Sequence, residues 1–169
     1  YKPASDTVMD LPSAASTAIS VGDLLFWDTT NKVLKPFDQY VATGVVNTDQ
    51  AAIRAVFAGV ALQGKLAADT SGGYPAFNGE AITFAPDALY EATCAAATFE
   101  PGDLVAASVT AAAGAGNVAN QTLVKTTDAG EAIGYVVERY ASNTTSVRVR
   151  LIGRWSPFNY ADYNNTTSV

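Results

Sequence analysis

Between Ile133 and Ile152 apolar and polar side chains alternate with a period of two on both sides of a polar cluster. That pattern fits a β-hairpin and conflicts with any helix. Ile133, Tyr135 and Val137 alternate with Gly134, Val136 and Glu138, and Val147, Val149 and Leu151 alternate with Arg148, Arg150 and Ile152. Ala141 to Thr145 supplies turn chemistry between them. Centring the turn near Asn143 sets Val137 opposite Val149, Tyr135 opposite Leu151 and Glu138 opposite Arg148. Apolar then meets apolar, and acid meets base, in one register.

The rest of the chain reads as further strands with turns between them. Val21-Gly22-Asp23-Leu24-Leu25-Phe26-Trp27 is a turn feeding a strand that is apolar on both faces. Asp28 to Lys32 is a turn cluster, and Val33-Leu34-Lys35 is a return strand stopped by Pro36. Strands are also expected over Tyr40 to Val46, Phe57 to Leu62, Ile82 to Phe84 and Leu89 to Cys94. Thr48 to Arg54 is the one helix candidate, rich in Ala and capped by Thr48 or Asp49. Ala67 to Pro75 reads as a flexible loop, and Ala111 to Asn117 as an exposed, mobile hairpin tip.

Three of these segments occur twice in the same order. Val21-Gly22-Asp23-Leu24-Leu25 is echoed by Pro101-Gly102-Asp103-Leu104-Val105. Val33-Leu34-Lys35 is echoed by Leu123-Val124-Lys125, and Phe57-Ala58-Gly59-Val60-Ala61 by Ala132-Ile133-Gly134-Tyr135-Val136. Each set is a Gly-Asp turn launching a strand, a return strand, and a strand whose glycine permits close backbone approach. Together the segments predict an all-β chain, a compact β-sandwich or small barrel of short antiparallel strands with one short helix at most.

The ends lack this patterning. Residues 1–17 are expected to form an extended N-terminal arm without a core of its own, residues 18–155 the β-rich domain, and residues 156–169 a C-terminal tail rich in Asn, Tyr and Thr. Both arms are expected to become ordered only through other chains.

Composition narrows the chemistry. The chain has no His and a single cysteine, Cys94, so it has no Ser-His or Cys-His pair, no His-ligated metal, no thiolate cluster and no intrachain disulfide. Ten basic against sixteen acidic residues give a net charge of −6, which disfavours a nucleic-acid partner. No apolar run is long enough for a membrane span, and the first residues do not read as a signal peptide. Charged residues make up only 15%, so Thr (18 residues) and Ala (31 residues) must cover much of the surface. Such a surface suits a protein packed against a partner or its own copies.

Carboxylates are the remaining catalytic option. Asp23, Asp28, Asp103, Glu91 and Glu100 sit mainly in turns, where an aspartate bonds its own backbone. No Asp-x-Asp spacing suggests a calcium loop, and Gly72-Gly73 and Gly114-Ala115-Gly116 do not join a strand to a helix as a phosphate loop would. No catalytic residue, metal ligand or cofactor is therefore assigned. Arg148, Arg150 and Arg154 form a basic spot on an acidic chain; either they pair with Glu138 and another acid, or with Trp155 they contact a partner. Cys94 reads as a small buried hydrophobe.

The Gly-Asp-Leu strand, Phe-Ala-Gly-Val-Ala at 57–61, Leu-Tyr-x-Ala at 89–92, Pro-Gly-Asp-Leu-Val at 101–105, Ile-Gly-Tyr-Val at 133–136 and Val-Arg-Val-Arg-Leu at 147–151 follow one another in order. Over residues 19–153 this resembles the capsid cement, or head-decoration, proteins of tailed bacteriophages. The resemblance implies a non-enzymatic β-rich protein, made in the host cytoplasm, on the outer capsid surface of the virion. It implies the major capsid protein as partner, clamping of neighbouring subunits, and self-association as a homotrimer. The tail after Trp155 departs from shorter members of that family and leaves the oligomeric arrangement open. An alternative of another class is a glycan-binding β-module of a phage tail or surface protein, with Trp27, Trp155, Phe158, Tyr160 and Tyr163 as stacking faces.

Overall fold

The computed structural model describes residues 8–68 and 81–156. Among these the chain forms β1 (Met9–Pro12), β2 (Leu24–Asp28), β3 (Val33–Pro36), β4 (Ala42–Thr43), α1 (Val46–Val56), β5 (Phe57–Ala61) and β6 (Ala81–Ala85). It continues with β7 (Asp87–Phe99), β8 (Leu104–Val109), β9 (Ala113–Gly114), β10 (Val118–Thr126), β11 (Gly134–Val136) and β12 (Tyr140–Ile152). The all-β class holds, with α1 the only α-helix among the described residues.

These strands make two five-stranded units with one strand order. The first runs β1-β6-β5-β2-β3; the second runs β7-β12-β11-β8-β10 and closes into a barrel. Registers correspond pair by pair. Leu25 faces Gly59 in the first unit as Val105 faces Gly134 in the second. Val60 faces Ala85 as Tyr135 faces Arg150. Met9 faces Phe84 as Tyr90 faces Val149, and Trp27 faces Leu34 as Ala107 faces Leu123. Even the closure repeats: Cys94 pairs with Leu123 in parallel, and Ser13 makes a lone parallel bridge to Leu34. The repeated motifs of the sequence are thus a structural duplication. Leu34 matches Leu123 only after Leu123-Val124-Lys125 is read one residue later against Val33-Leu34-Lys35 than composition suggested.

The cores repeat as well. Ile19, Leu25, Leu34, Ala58, Ala61, Ile82 and Phe84 form one buried cluster. Phe99, Val105, Leu123, Ile133, Val136, Val147 and Val149 hold the corresponding places in the second unit and are all buried. The second cluster also takes in Leu24, Phe26 and Val60 from the outer face of the first unit, with Phe37 and Ile53. Ile53 is the buried apolar face of α1, so helix and units share one apolar interior.

Several local expectations need correction. The strand pattern at 133–152 slips by one residue: Val136, not Val137, faces Val149, and Gly134, not Tyr135, faces Leu151. The cause is steric, since a Cβ at residue 134 would meet the Arg150 carbonyl oxygen at 2.4 Å, so glycine must take that position. Ala141 to Thr145 is not a turn but part of β12, which pairs with β7 instead of folding straight back on β11. β7 and β12 each span 13 residues, longer than the short strands expected. Their outer parts are Ala, Thr and Ser, which give no apolar alternation to read.

The helix starts at Val46, and neither Thr48 nor Asp49 caps it with a side chain. Asp49, fully buried, instead accepts bonds from the Thr43 and Gly44 amides at 2.8–3.1 Å and so fixes the chain entering the helix. Of Tyr40 to Val46 only Ala42–Thr43 is strand. The 111–117 tip is tied down: β9 pairs with β4, and the Gly116 amide donates to the Asp38 carbonyl. Residues 8–17 are not an arm without partners within the chain, because β1 pairs along its length with β6 and Met9 and Leu11 pack on the first core. Residues 1–7 of the expected arm, 69–75 of the expected loop and the expected tail from 157 lie outside the described residues.

Candidate interaction surface

Two matching turns set the geometry of the surface. The Gly22 amide donates to the Ala61 carbonyl and the Gly102 amide to the Val136 carbonyl, both at 2.8 Å. Asp23 accepts the Ser20 amide and Asp103 the Glu100 amide, again at 2.8 Å. Both glycines have φ near +90°, which residues with a Cβ rarely adopt. The turn aspartates therefore act as backbone caps, as the sequence suggests.

Other carboxylates also hold in-chain donors. Asp28 takes the Lys35 ammonium and the Thr30 and Asn31 amides, Glu91 takes the Ser146 hydroxyl, and Glu100 takes Arg139. The Lys35 side chain, followed by Asn31, holds the Asp28 carboxyl well below the usual carboxylate range. An open cleft of about 770 Å³ lies between the start of α1 and the end of β10, lined by Asn47, Gln50, Lys125, Asp128 and Glu131 among others. Its two acids are engaged: Asp128 accepts the Gly130 amide and Glu131 the Thr126 hydroxyl. Among the described residues no group of three or more His, Cys, Asp or Glu could hold a metal ion, and no helix is long and apolar enough to cross a membrane.

The arginines divide into two places. Arg148 and Arg150 lie on β12. Arg148 donates to Glu138 at 2.6 Å, and both side chains are about half exposed. Arg150 grips Asp87 with two bonds, at 3.0 and 2.6 Å, and that carboxylate is almost fully covered. Arg154 and Trp155 instead lie beyond Gly153 against the first unit. The Arg154 amide donates to the Phe57 carbonyl, and its guanidinium sits 5.0 Å from the Trp155 ring centre. Trp155 meets Trp27 and Phe84 edge-on, at 5.5 and 5.9 Å. Trp27 and Trp155 are therefore packed on each other; Phe158, Tyr160 and Tyr163 lie outside the described residues.

Cys94 is only partly buried, with its thiol pointed at the Thr144 carbonyl at 3.6 Å, and burial pushes its pKa up. Sequence reasoning missed the residues that join the units. The Tyr90 hydroxyl donates to the Gly22 carbonyl at 2.8 Å and the Gln121 amide to Asp23 at 3.1 Å. Gln50 donates to the Ala107 carbonyl and Asn120 accepts the Asp38 amide. Nothing local marks these positions, since their partners are remote in the chain.

No curated protein and no solved structure matches this chain. The family model described as phage cement protein matches residues 4–76, a stretch holding β1 to β5.

Proposed function

We propose that this protein binds the outer surface of a bacteriophage capsid and stabilises the shell by bridging neighbouring major capsid subunits. The match to phage cement proteins carries the reading, and that family indicates a structural, capsid-associated protein. What the surface offers agrees with it: carboxylates held in ion pairs within the chain and tryptophans packed on each other. Arg148, Arg150, Arg154 and Trp155 are proposed as partner contacts, and the protein is proposed to act as a homotrimer without a cofactor, as a non-enzyme.

The energetics are those of linkage. A molecule that binds only the assembled shell shifts the assembly equilibrium toward it, and many copies act on one lattice. Binding through an apolar centre with a polar rim would survive moderate salt, unlike a purely electrostatic contact. The test is to strip the protein from particles, measure thermal or osmotic rupture, and add it back. Rupture at lower stress without the protein, restored on addition, is the expected result. Particles equally robust in both states would overturn the cement reading and favour the glycan-binding alternative.

A further inference from the structure

Glu131 is the one buried carboxylate among the described residues that keeps an oxygen without a donor. Asp23, Asp49, Asp87 and Glu131 are none of them more than 6% exposed. Asp23 accepts from Gln121 on one oxygen and from the Ser20 amide on the other. Asp49 takes the Thr43 and Gly44 amides across both oxygens, and Asp87 takes one Arg150 bond on each. Glu131 accepts the Thr126 hydroxyl on Oε2 at 2.8 Å, and its Oε1 accepts nothing. That Oε1 is not fully covered, so it opens onto the cleft between α1 and β10 that Glu131 lines. A carboxylate so far withdrawn from water is costly to leave with one neutral bond.

The walls of the cleft set what could complete it. Exposed Asp128 accepts the Gly130 amide on Oδ1 at 2.6 Å, and its Oδ2 takes no donor. Gln50, 4% exposed, donates its side-chain amide to the Ala107 carbonyl, which leaves its side-chain oxygen as a further acceptor. Lys125 is the cation on the wall, and its ammonium already sits on Asp103, 2.5 Å away. The start of α1 adds about half a positive charge, less than two carboxylates carry. Val46 and Val124, both half-buried, line the cleft with apolar surface. Two carboxylates fall short of the roughly six to eight oxygen ligands of a calcium ion. Open acceptors between apolar walls suit an ammonium or guanidinium on an aliphatic stem. The acceptors are also held in advance: the Thr126 hydroxyl takes the Asp128 amide while donating to Glu131, and the Glu131 amide donates to the Asp128 carbonyl.

We propose that this cleft binds a lysine or arginine side chain projecting from a capsid subunit, held by Glu131 and Asp128. The inference rests on the capsid-binding reading for its partner and on the cleft alone for its chemistry. A charge contact of this kind fixes the register of docking more than it adds affinity.

Two measurements on the full chain test it. In the first, N-acetyl-lysine methylamide is titrated at millimolar concentrations into isotopically labelled protein. Amide chemical shifts centred on Gln50 and on Thr126 to Glu131 are expected to move. The norleucine analogue, which has the stem without the charge, should leave them in place. Glu131→Gln, which keeps an acceptor for Thr126, and Asp128→Asn should each weaken the response. In the second, binding to stripped particles is followed against salt. Glu131→Gln should lower affinity about tenfold and Asp128→Asn about threefold, both with a flatter salt dependence. Asp10→Asn, which removes the same charge from exposed β1, should change neither quantity. Circular dichroism identifies any variant that fails to fold. A wild type without a lysine-specific response overturns the proposal. So do variants that bind particles with wild-type affinity and salt dependence, and in that case the cement reading stands. A wild type that takes the lysine analogue yet fails to bind particles overturns the capsid partner and the cement reading together.

Discussion

Gly59 and Gly134 occupy one structural position twice. A Cβ on Gly59 would lie 2.1 Å from the Ala85 carbonyl oxygen, and one on Gly134 would lie 2.4 Å from that of Arg150. Ala85 and Arg150 are themselves counterparts, each facing the residue after its glycine. Backbone crowding of this kind cannot be relieved by moving a flexible side chain.

Gly59→Ala and Gly134→Ala should therefore each cost more than about 3 kcal/mol, a loss in the range of forced backbone strain. Gly116→Ala has open space around its Cβ and only its φ of +80° to resist it, so about 1–2 kcal/mol is expected. Urea unfolding curves of the three variants decide the matter. Equal losses would show that crowding at Gly59 and Gly134 is relieved by local movement.

The second unit's core gives a contrast between burial and charge. Leu151 is fully buried, so Leu151→Ala should cost about 2–5 kcal/mol. Arg148 shares an exposed ion pair with Glu138, so Arg148→Ala should cost about 0–1 kcal/mol. Similar melting temperatures for the two variants would contradict the placement of Leu151.

The parts of this fold that were legible in the sequence are those carried by local chemistry. Gly22-Asp23 and Gly102-Asp103 announce their turns because a positive φ needs glycine and the aspartate caps the turn it sits in. Gly59 and Gly134 stand out against apolar neighbours. The closure of the barrel does not, because Cys94 meets Leu123 through a parallel pairing that no turn residue specifies. Asn143 looked like the centre of a turn, since Asn favours turns, but long-range pairing with β7 overrides that preference. Of the proposed contact residues, Arg148 pairs with Glu138 as the alternation of acid and base suggested, although the register that set the two directly opposite slips by one residue. The bond from Arg150 to Asp87 and the packing of Trp155 on Trp27 were not legible, because each joins segments that only the folded chain brings together.

Acid stability should depend on Asp28. Its folded pKa is depressed, first by the Lys35 side chain and then by Asn31. A depressed carboxylate contributes stability that is fully present above its unfolded pKa, near 4, and is lost as pH falls through the folded value. Asp28→Asn should be less stable than wild type at neutral pH and lose less on acidification below about pH 4. Parallel acid limbs for the two proteins, measured by denaturant unfolding at each pH, would remove Asp28 from the account.

Tyr90 carries the alkaline counterpart and joins the two units. Burial, and then the charge of Asp23, raise its pKa to about 12. Its neutral hydroxyl is the donor to the Gly22 carbonyl, so ionising it breaks that bond and sets a negative charge beside Asp23. A tyrosine whose folded pKa is raised contributes stability that is complete below the unfolded pKa, near 10, and is lost as pH rises through the folded value. Wild-type stability should thus fall between about pH 10 and 12 by more than that of Tyr90→Phe. At neutral pH the same substitution should cost about 1 kcal/mol, the net value of one hydrogen bond. Ultraviolet titration of the phenolate band gives an independent check, because Tyr90→Phe should shrink the late-ionising step, to which Tyr40, raised first by burial and then by Asp49, also contributes. A variant whose late step is as large as that of the wild type would place the raised pKa elsewhere and detach Tyr90 from the contact between the units.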